Sequence, residues 1–374
     1  MGAAGRMALF LGIVLSVWSA FHAYAFLRAF SIPALSRAVP FVGRAVLFGL
    51  LWLSYPLGRV LARRAPGAVA RAVELAGAVW MGTLFLLVVA FLAADLVTGF
   101  GKLWPAGAVP ARSVALGVAL ALSVVALVQA ARGPRVVRHE VRVPSLPAER
   151  EKLKLVQLSD LHLGSLLGER WLARRIAQVE SLSPDLVVVT GDLVDGEARA
   201  VEPLAPVLRT LTAPLGVWGV TGNHEYYAGL EKCLSVLAAG GIRVLRDEWA
   251  EAAPGVVLSG VDDFTARRQL GLEGKALDAA FAGIPDGAVV VHLSHSPLLI
   301  REAAAAGARL MLSGHTHGGQ LWPFVYLSAI PYPFQAGRYE VDGMTLVVSR
   351  GTGTWGPPMR LFRRSEIVEV VLRR

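Results

Sequence analysis

The sequence predicts an all-α membrane region of about four helices, then an α/β domain of two packed sheets with helices outside. Three observations predict it. The apolar residues are concentrated before about residue 132, in a chain of 374 residues whose mean hydropathy is +0.53 and of which only 17% is charged. Past that point, β-branched apolar runs alternate with stretches of helical composition. Five of those runs end in Asp, Asn or His, at the strand ends where open α/β sheets bind ligands.

The first apolar segment is Met7 to Leu27, between Arg6 and Arg28. About twenty residues suffice to cross a bilayer. Ala23-Tyr-Ala25 has the look of a signal-peptide cleavage site, but the length of the stretch and the apolar segments after it favour a span. The second segment, Ala45 to Gly58, is weaker and contains Pro56; it spans if Arg44 and Arg59 snorkel. Leu75 to Ala94 and Ser113 to Ala131 are uncharged and long enough. His22 is expected as an interior or interfacial residue and Asp95 as an interfacial one. Trp80 and Trp104 are expected as interface anchors or as packing residues.

Four spans put both ends of the chain on one side. Arg59, Arg63, Arg64 and Arg71, then Arg132, Arg135, Arg138 and Arg142, share that side; Arg28, Arg37, Arg44, Lys102 and Arg112 lie opposite. The positive-inside bias therefore predicts a multi-pass integral membrane protein with its soluble domain cytoplasmic. The formal net charge of +9 reads as membrane-flanking charge facing anionic lipid, so the bilayer is an expected partner. No nucleic-acid-binding module is recognisable, and no nucleic acid partner is indicated. Nothing in the chain specifies protein partners. The single cysteine, Cys233, excludes an intramolecular disulfide and reads as a core residue of a helix.

The division expected is 1–132 for the helical region, 133–152 for a linker and 153–374 for the α/β domain. Arg135 to Val143 alternates and reads as a first edge strand. Leu155 to Leu163 carries Asp160 and His162 at its end. Asp185 to Asp192 ends in Asp192, with Asp195 three residues on. Gly216 to Glu225 ends in Asn223, His224 and Glu225, and Ala288 to Pro297 carries His295. Arg309 to Leu312 leads into Ser313-Gly-His-Thr-His-Gly-Gly-Gln320, with His315 and His317. Helices are expected near Gly168 to Ser181, Val201 to Thr210, Gly229 to Ala239, Gly274 to Ala282 and Pro297 to Ala306. Later strands near Val256 to Gly260, Thr345 to Ser349 and Glu366 to Leu372 lack long helices between them, which argues for two sheets. Six of the eight histidines fall in the five blocks; chance scatter does not produce that agreement.

The ordered series Asp160-Leu-His162, Gly191-Asp-Leu-Val-Asp195, Gly222-Asn-His-Glu225, His295 and Gly314-His-Thr-His317 resembles the calcineurin-like metallophosphoesterases, over about residues 153 to 371. Ser313 to Gln320, with Val348-Ser-Arg-Gly-Thr-Gly353 downstream, is similar to the YkuE-type branch and its membrane-anchored relatives. The resemblance implies a four-layer α/β/β/α sandwich. It implies Asp192 as a bridge between two metal ions, Asp160, His162 and His317 completing the first site, and Asn223, His295 and His315 the second. It implies that His224 acts on the leaving group and that Asp195 orients it.

Phosphate-ester hydrolysis needs a nucleophile at neutral pH and positive charge on the developing oxyanions. Two cations about 4 Å apart acidify a shared water and clamp the attacking and leaving oxygens. A carboxylate, amide and imidazole set without thiolate suits Mn2+, Fe or Zn2+, and suits Mg2+ less. Arg350, in a glycine-flanked loop, is a candidate for holding a phosphate oxygen, with a surface arginine the alternative. Glu225 reads as a brace for the fold as readily as a catalytic group. His292 falls on the opposite strand face from His295 and reads as structural. Asp262 and Asp263 follow a strand and are assigned no chemistry. The expected activity is hydrolysis of a phosphomonoester or phosphodiester, with a lipid-linked substrate suggested by the membrane anchor. The alternatives are a nucleotide-lipid pyrophosphohydrolase of the lipid A type and a non-catalytic membrane sensor of a phosphorylated ligand.

Overall fold

The structure is a computed structural model that describes residues 3–272 and 274–374, with the side chains of residues 3, 4, 6–8, 10 and 11 outside the description. The chain divides into two compact units. One runs through Val128 and includes Gly356–Leu361; the other comprises Gln129–Trp355 and Phe362–Arg374.

The first unit holds α1 (Ala3–Ala29), the short α2 (Pro33–Ala38), α3 (Phe41–Arg64), α4 (Ala68–Thr98) and α5 (Pro105–Ala131). Among the described residues, α3, α4 and α5 are long and apolar enough to cross a membrane. This makes the protein a multi-pass membrane protein. Three of the about four expected spans are met among the described residues; α1 covers the expected first segment, of which Arg6 at its flank and part of its length lie outside the described side chains.

The expected weak second segment is longer than read, because its charges are met inside the unit. Arg59 pairs with Glu74 of α4 at 3.1 Å, and Arg44 Nε donates to Val39 O at 2.8 Å. Neither arginine depends on snorkelling alone. Helices α3 and α4 touch backbone to backbone, since a Cβ on Gly77 would lie 2.6 Å from Tyr55 Cα, the close approach that small residues permit. Asp95 sits near the end of α4 as expected, and it is buried within the unit. Arg28 (2.6 Å), Arg112 (3.1 Å) and Tyr24 Oη (2.8 Å) hold it, tying α1, α4 and α5 together. Trp80 Nε1 donates to His22 Nε2 at 2.8 Å, so this pair packs inside the unit.

The second unit contains β1 (Arg135–Arg142), β2 (Lys152–Leu158), α6 (Glu169–Glu180), β3 (Leu186–Thr190), α7 (Ala205–Leu208), β4 (Val217–Val220), α8 (Asn223–Ala228) and α9 (Leu230–Ala239). It continues through β5 (Arg243–Val244), β6 (Glu248–Ala253), β7 (Val256–Gly260), α10 (Phe264–Leu270), α11 (Ala276–Phe281), β8 (Val289–Leu293), α12 (Ile300–Ala305) and β9 (Ala308–Ser313). It ends with α13 (Val325–Ser328), β10 (Gly337–Val341), β11 (Met344–Val348) and β12 (Glu366–Arg373).

Two six-stranded sheets result, in the orders β1-β12-β2-β3-β4-β5 and β10-β11-β9-β8-β7-β6. Their inner faces share one core, with Leu155, Leu186, Val188 and Val370 from one sheet and Leu258, Val291, Leu310 and Val347 from the other. The other face of the first sheet packs Val156, Val187 and Val189 on Leu172, Ile176 and Val179 of α6 and on Leu237 of α9. On the second sheet, Met311, Leu346 and Val348 meet Ile300 and Ala303 of α12. Strands buried on both faces read as unbroken apolar runs, which is why Leu-Val-Val-Val at β3 shows no alternation. The architecture is the expected α/β/β/α sandwich. The edge strand expected inside 133–152 forms as β1 and pairs in parallel with β12, Arg135 opposite Glu366.

Candidate metal centre

The sheet register gathers the five motif blocks. Strands β2, β3 and β4 run parallel, with Val156 opposite Val187 and Val187 opposite Val217, and β8 and β9 run parallel in the other sheet. All five strands therefore end at the same edge of the sandwich, and each block emerges there.

The side chains converge. Potential ligand atoms of Asp160, His162 and His317 lie within 4.8 Å of one another, and so do those of Asp192, His295 and His315. Asp192 also groups with His162 and His224 by the same measure, so one carboxylate serves both sides. Its Oδ2 is 3.1 Å from His295 Nε2 and 3.8 Å from His162 Nε2, while its Oδ1 accepts the His224 backbone N–H at 2.9 Å. His317 Nε2 stands 3.4 Å from Asp160 Oδ1 and 3.0 Å from His162 Nε2.

The backbone is shaped to this purpose. Asp160, His162, Asp192, His315 and His317 all have positive φ, between 47° and 69°. A left-handed non-glycine residue costs about 1–2 kcal/mol, and Asp and His are among the types that tolerate it. Glycine is required where the loops approach most closely. A Cβ on Gly222 would lie 2.2 Å from Asp192 Oδ1, and one on Gly314 would lie 1.9 Å from Ser159 Oγ and 2.4 Å from Asp160 Oδ2.

Hydrogen bonds from the surrounding residues fix the donors. His295 Nδ1 donates to Thr190 O at 2.8 Å, which turns Nε2 toward Asp192. His315 Nε2 meets Tyr332 Oη at 2.9 Å, leaving Nδ1 toward the centre, 3.2 Å from His295 Nε2. Ser159 Oγ donates to Asp160 Oδ2 at 2.6 Å. Glu225 accepts N–H bonds from Asp192, Val194 and Gly222 at 3.0, 3.0 and 2.7 Å, so it braces the two loops and does not enter the centre.

The electrostatics are those of a cation site. Burial holds the His162 and His315 imidazoles down to about 3, so both present neutral nitrogen. Burial opposes charge on Asp192 too, but His295 and His224 outweigh it and hold the carboxyl well below its ordinary range. Burial likewise opposes charge on His295 and His224, and Asp192 leads the attractions that raise both.

The residues fit a pair of divalent cations. Asn223 Oδ1 is buried with no hydrogen-bond donor among the described residues, an orphan acceptor next in sequence to His224, whose backbone N–H bonds Asp192. Imidazole nitrogens face each other at 3.0 and 3.2 Å, an arrangement that a shared proton or a cation between them satisfies. The donors are nitrogen and oxygen only.

A family model for the calcineurin-like phosphoesterases matches residues 153–319. An uncharacterized metallophosphoesterase of Aquifex aeolicus is 37% identical over 243 residues, covering 64% of this chain and 92% of that one. The chain belongs to the calcineurin-like phosphoesterase family. Within this family, a transmembrane protein with metallophosphoesterase domain from Danio rerio is 38% identical over 272 residues, covering 70% of this chain. The chain spans 62% of the length of that relative. The uncharacterized metallophosphoesterase YkuE of Bacillus subtilis is 28% identical, over 63% of this chain. The calcineurin-like fold thus carries two triads of side chains able to hold metal ions.

Beside the triads, His224 Nδ1 is 3.5 Å from Asp195 Oδ1, and its ring lies edge-on to His162 at 4.7 Å and Trp355 at 6.0 Å. Arg350 Nη1 pairs with Glu366 Oε2 at 2.7 Å, and its backbone N–H donates to Glu366 Oε1 at 3.0 Å. His292 bonds Ser259 Oγ at 3.2 Å beneath Phe281, in the core as read. Asp262 binds Arg246 at 2.9 Å, and Asp263 caps α10. Tyr332 and Trp355 were not signalled by the sequence. Each lies in a loop without periodicity, more than fifteen residues from the histidine it meets.

Proposed function

We propose that the protein hydrolyses a phosphomonoester or phosphodiester with two metal ions, on a lipid-linked substrate, at the cytoplasmic side of a membrane. The observation that carries this reading is the Asp192 carboxylate shared between two histidine triads, with His224 at its edge. In this reading Asp160, His162 and His317 hold one ion, Asn223, His295 and His315 the other, and Asp192 both. When bound, the ions supply an acidified water and neutralise charge on the phosphoryl oxygens. The nitrogen and oxygen donor set supports Mn2+, Fe or Zn2+.

The chain's own residues do the rest. Water oxygen adds to phosphorus, the bond to the leaving oxygen breaks, and that oxygen takes its proton from His224. Asp195, facing Nδ1, stabilises the protonated ring, whose other N–H is the one donated. Ser313 to Gln320 supports a place near the YkuE-type branch, and the arginines after α3 and α5 support the cytoplasmic side.

The test uses full-length protein in detergent, stripped of metal and resupplied with Mn2+, Zn2+ or Mg2+, with p-nitrophenyl and bis-p-nitrophenyl phosphate as substrates. Asp192→Asn is expected to abolish turnover and reduce the bound metal. His224→Ala is expected to keep both ions and lose about a hundredfold or more in kcat. Two ions bound without turnover of either ester, with any metal, would sink the hydrolase reading in favour of a phosphate-binding sensor.

A further inference from the structure

The stretch from Gln320 to Ala336 follows the last histidine of the centre and precedes β10. Leu321 and Val325 are buried, and Gly319 sits so close that a Cβ there would lie 2.3 Å from Val325 Cα. Gln320 locks the stretch to the neighbouring loop: its side-chain N–H donates to Trp355 O at 2.9 Å, and its Oε1 accepts from Trp355 N at 3.0 Å. Ser328 Oγ donates to Gln335 Oε1 at 2.7 Å. This is a built platform. Its outward side is nonetheless apolar, with Ile330 81%, Tyr326 68% and Leu327 57% exposed, and Trp322 beside them. Phe362 and Trp355 extend the surface. The Phe362 ring is 6.3 Å from Trp322, and Trp355 reaches back to His224. A rim of large apolar side chains in one place marks an interaction surface.

We propose that this rim inserts into the headgroup boundary of a lipid bilayer, so that the metal centre opens on the lipid plane. Three observations select a bilayer over a protein partner. Trp and Tyr are the side chains that favour the membrane–water interface. Gln320 to Ala336 contains no acidic residue, so this stretch offers no carboxylate to repel anionic headgroups. Among the described residues are three helices able to cross a membrane, so a bilayer is a surface the chain always meets. The substrate class follows: an amphiphile whose phosphate reaches the centre while its apolar part stays in lipid. That last step rests on the proposed hydrolase activity; the surface does not.

The experiment places a nitroxide label at Ile330→Cys in the full-length protein, in nanodiscs of phosphatidylcholine with phosphatidylglycerol. The native Cys233 is buried, and burial pushes its thiol up to about 12, so it stays unlabelled. Leu327→Cys gives a second position, and Arg301→Cys on α12, whose native side chain is 80% exposed, gives an aqueous control. Power saturation is measured with oxygen and with a nickel chelate. Oxygen accessibility is expected to exceed nickel accessibility at 330 and 327, with the order reversed at 301. Nickel accessibility at 330 and 327 equal to that at 301 would overturn the proposal. So would low accessibility to both reagents, the mark of a covering protein. Labels in lipid without ester hydrolysis would leave the surface standing and refute the activity; hydrolysis with labels in water would do the reverse.

Discussion

Tyr332 shows how one hydroxyl can set the chemistry of a neighbour. Its Oη stands between His315 Nε2 and Thr265 Oγ1, at 2.9 and 3.0 Å. Tyr332→Phe removes that partner without changing the ring. Metal affinity at the site that includes His315 is expected to fall about tenfold to a hundredfold, read by competition with a chromogenic chelator. Glu225 is the complementary case. Glu225→Gln keeps its size but loses charge-assisted acceptance of three backbone N–H groups. A loss of about 2 kcal/mol or more is expected, seen as a lower melting temperature with metal present. Single residues were legible where chemistry forces their type, as at Asp192 and His317. They were not where the partner is distant in the chain. Arg350 is such a case: its Nη1 pairs with Glu366, sixteen residues on, a contact that no local pattern records.

The strand ends are the elements that matter, and the sequence marks them clearly: an apolar run, a small residue (Ser159, Gly191, Gly222, Ser294 or Gly314), then a ligand. Gly314→Ala tests that grammar, because its Cβ would collide with Ser159 Oγ and the Asp160 carboxylate. Bound metal is expected to fall from two ions toward one by elemental analysis, whereas Gly49→Ala, with open space around it, changes nothing. Strand β8 carries a pH dependence as well. Burial holds His292 down to about 3, against an ordinary value of 6.5. Between those values the unfolded chain takes up a proton that the folded one refuses, so stability falls as pH falls. The slope from this group approaches about 1.4 kcal/mol per pH unit. His292→Leu is expected to flatten the acid limb of stability in denaturant titrations by that amount; an unchanged limb would refute it. Helices were less legible than strands. The expected helix at Val201 to Thr210 breaks into short turns around Pro203 and Pro206, and only Ala205–Leu208 is α-helical.

For the whole molecule, composition alone separated the membrane unit from the sandwich, because a lipid solvent admits so few charges. It misjudged the second apolar segment, since Arg59 meets Glu74 from the next helix and no local pattern records that pairing. The edge strand read inside residues 133–152 forms as β1, but its partner, the last strand of the chain, lies over two hundred residues away and no local pattern records it. Cations that bind only the folded state add about 2.7 kcal/mol per site at a hundredfold excess over Kd. Chelation is therefore expected to speed amide exchange in peptides from 153–319 and to leave those from Ala68–Thr98 unchanged. Equal loosening in both would contradict a metal centre confined to the sandwich.

The left-handed backbone at Asp160, His162, Asp192, His315 and His317 bears on how such a protein can be engineered. Glycine at any of these positions would relax the chain, and without metal it would make the fold more durable. A laboratory selection rewarding heat resistance alone, run in chelator, should therefore collect its gains at these five positions. Its winners would be robust and inert. Alternating rounds for durability with rounds for metal retention would drive improvement to the helices and loops instead.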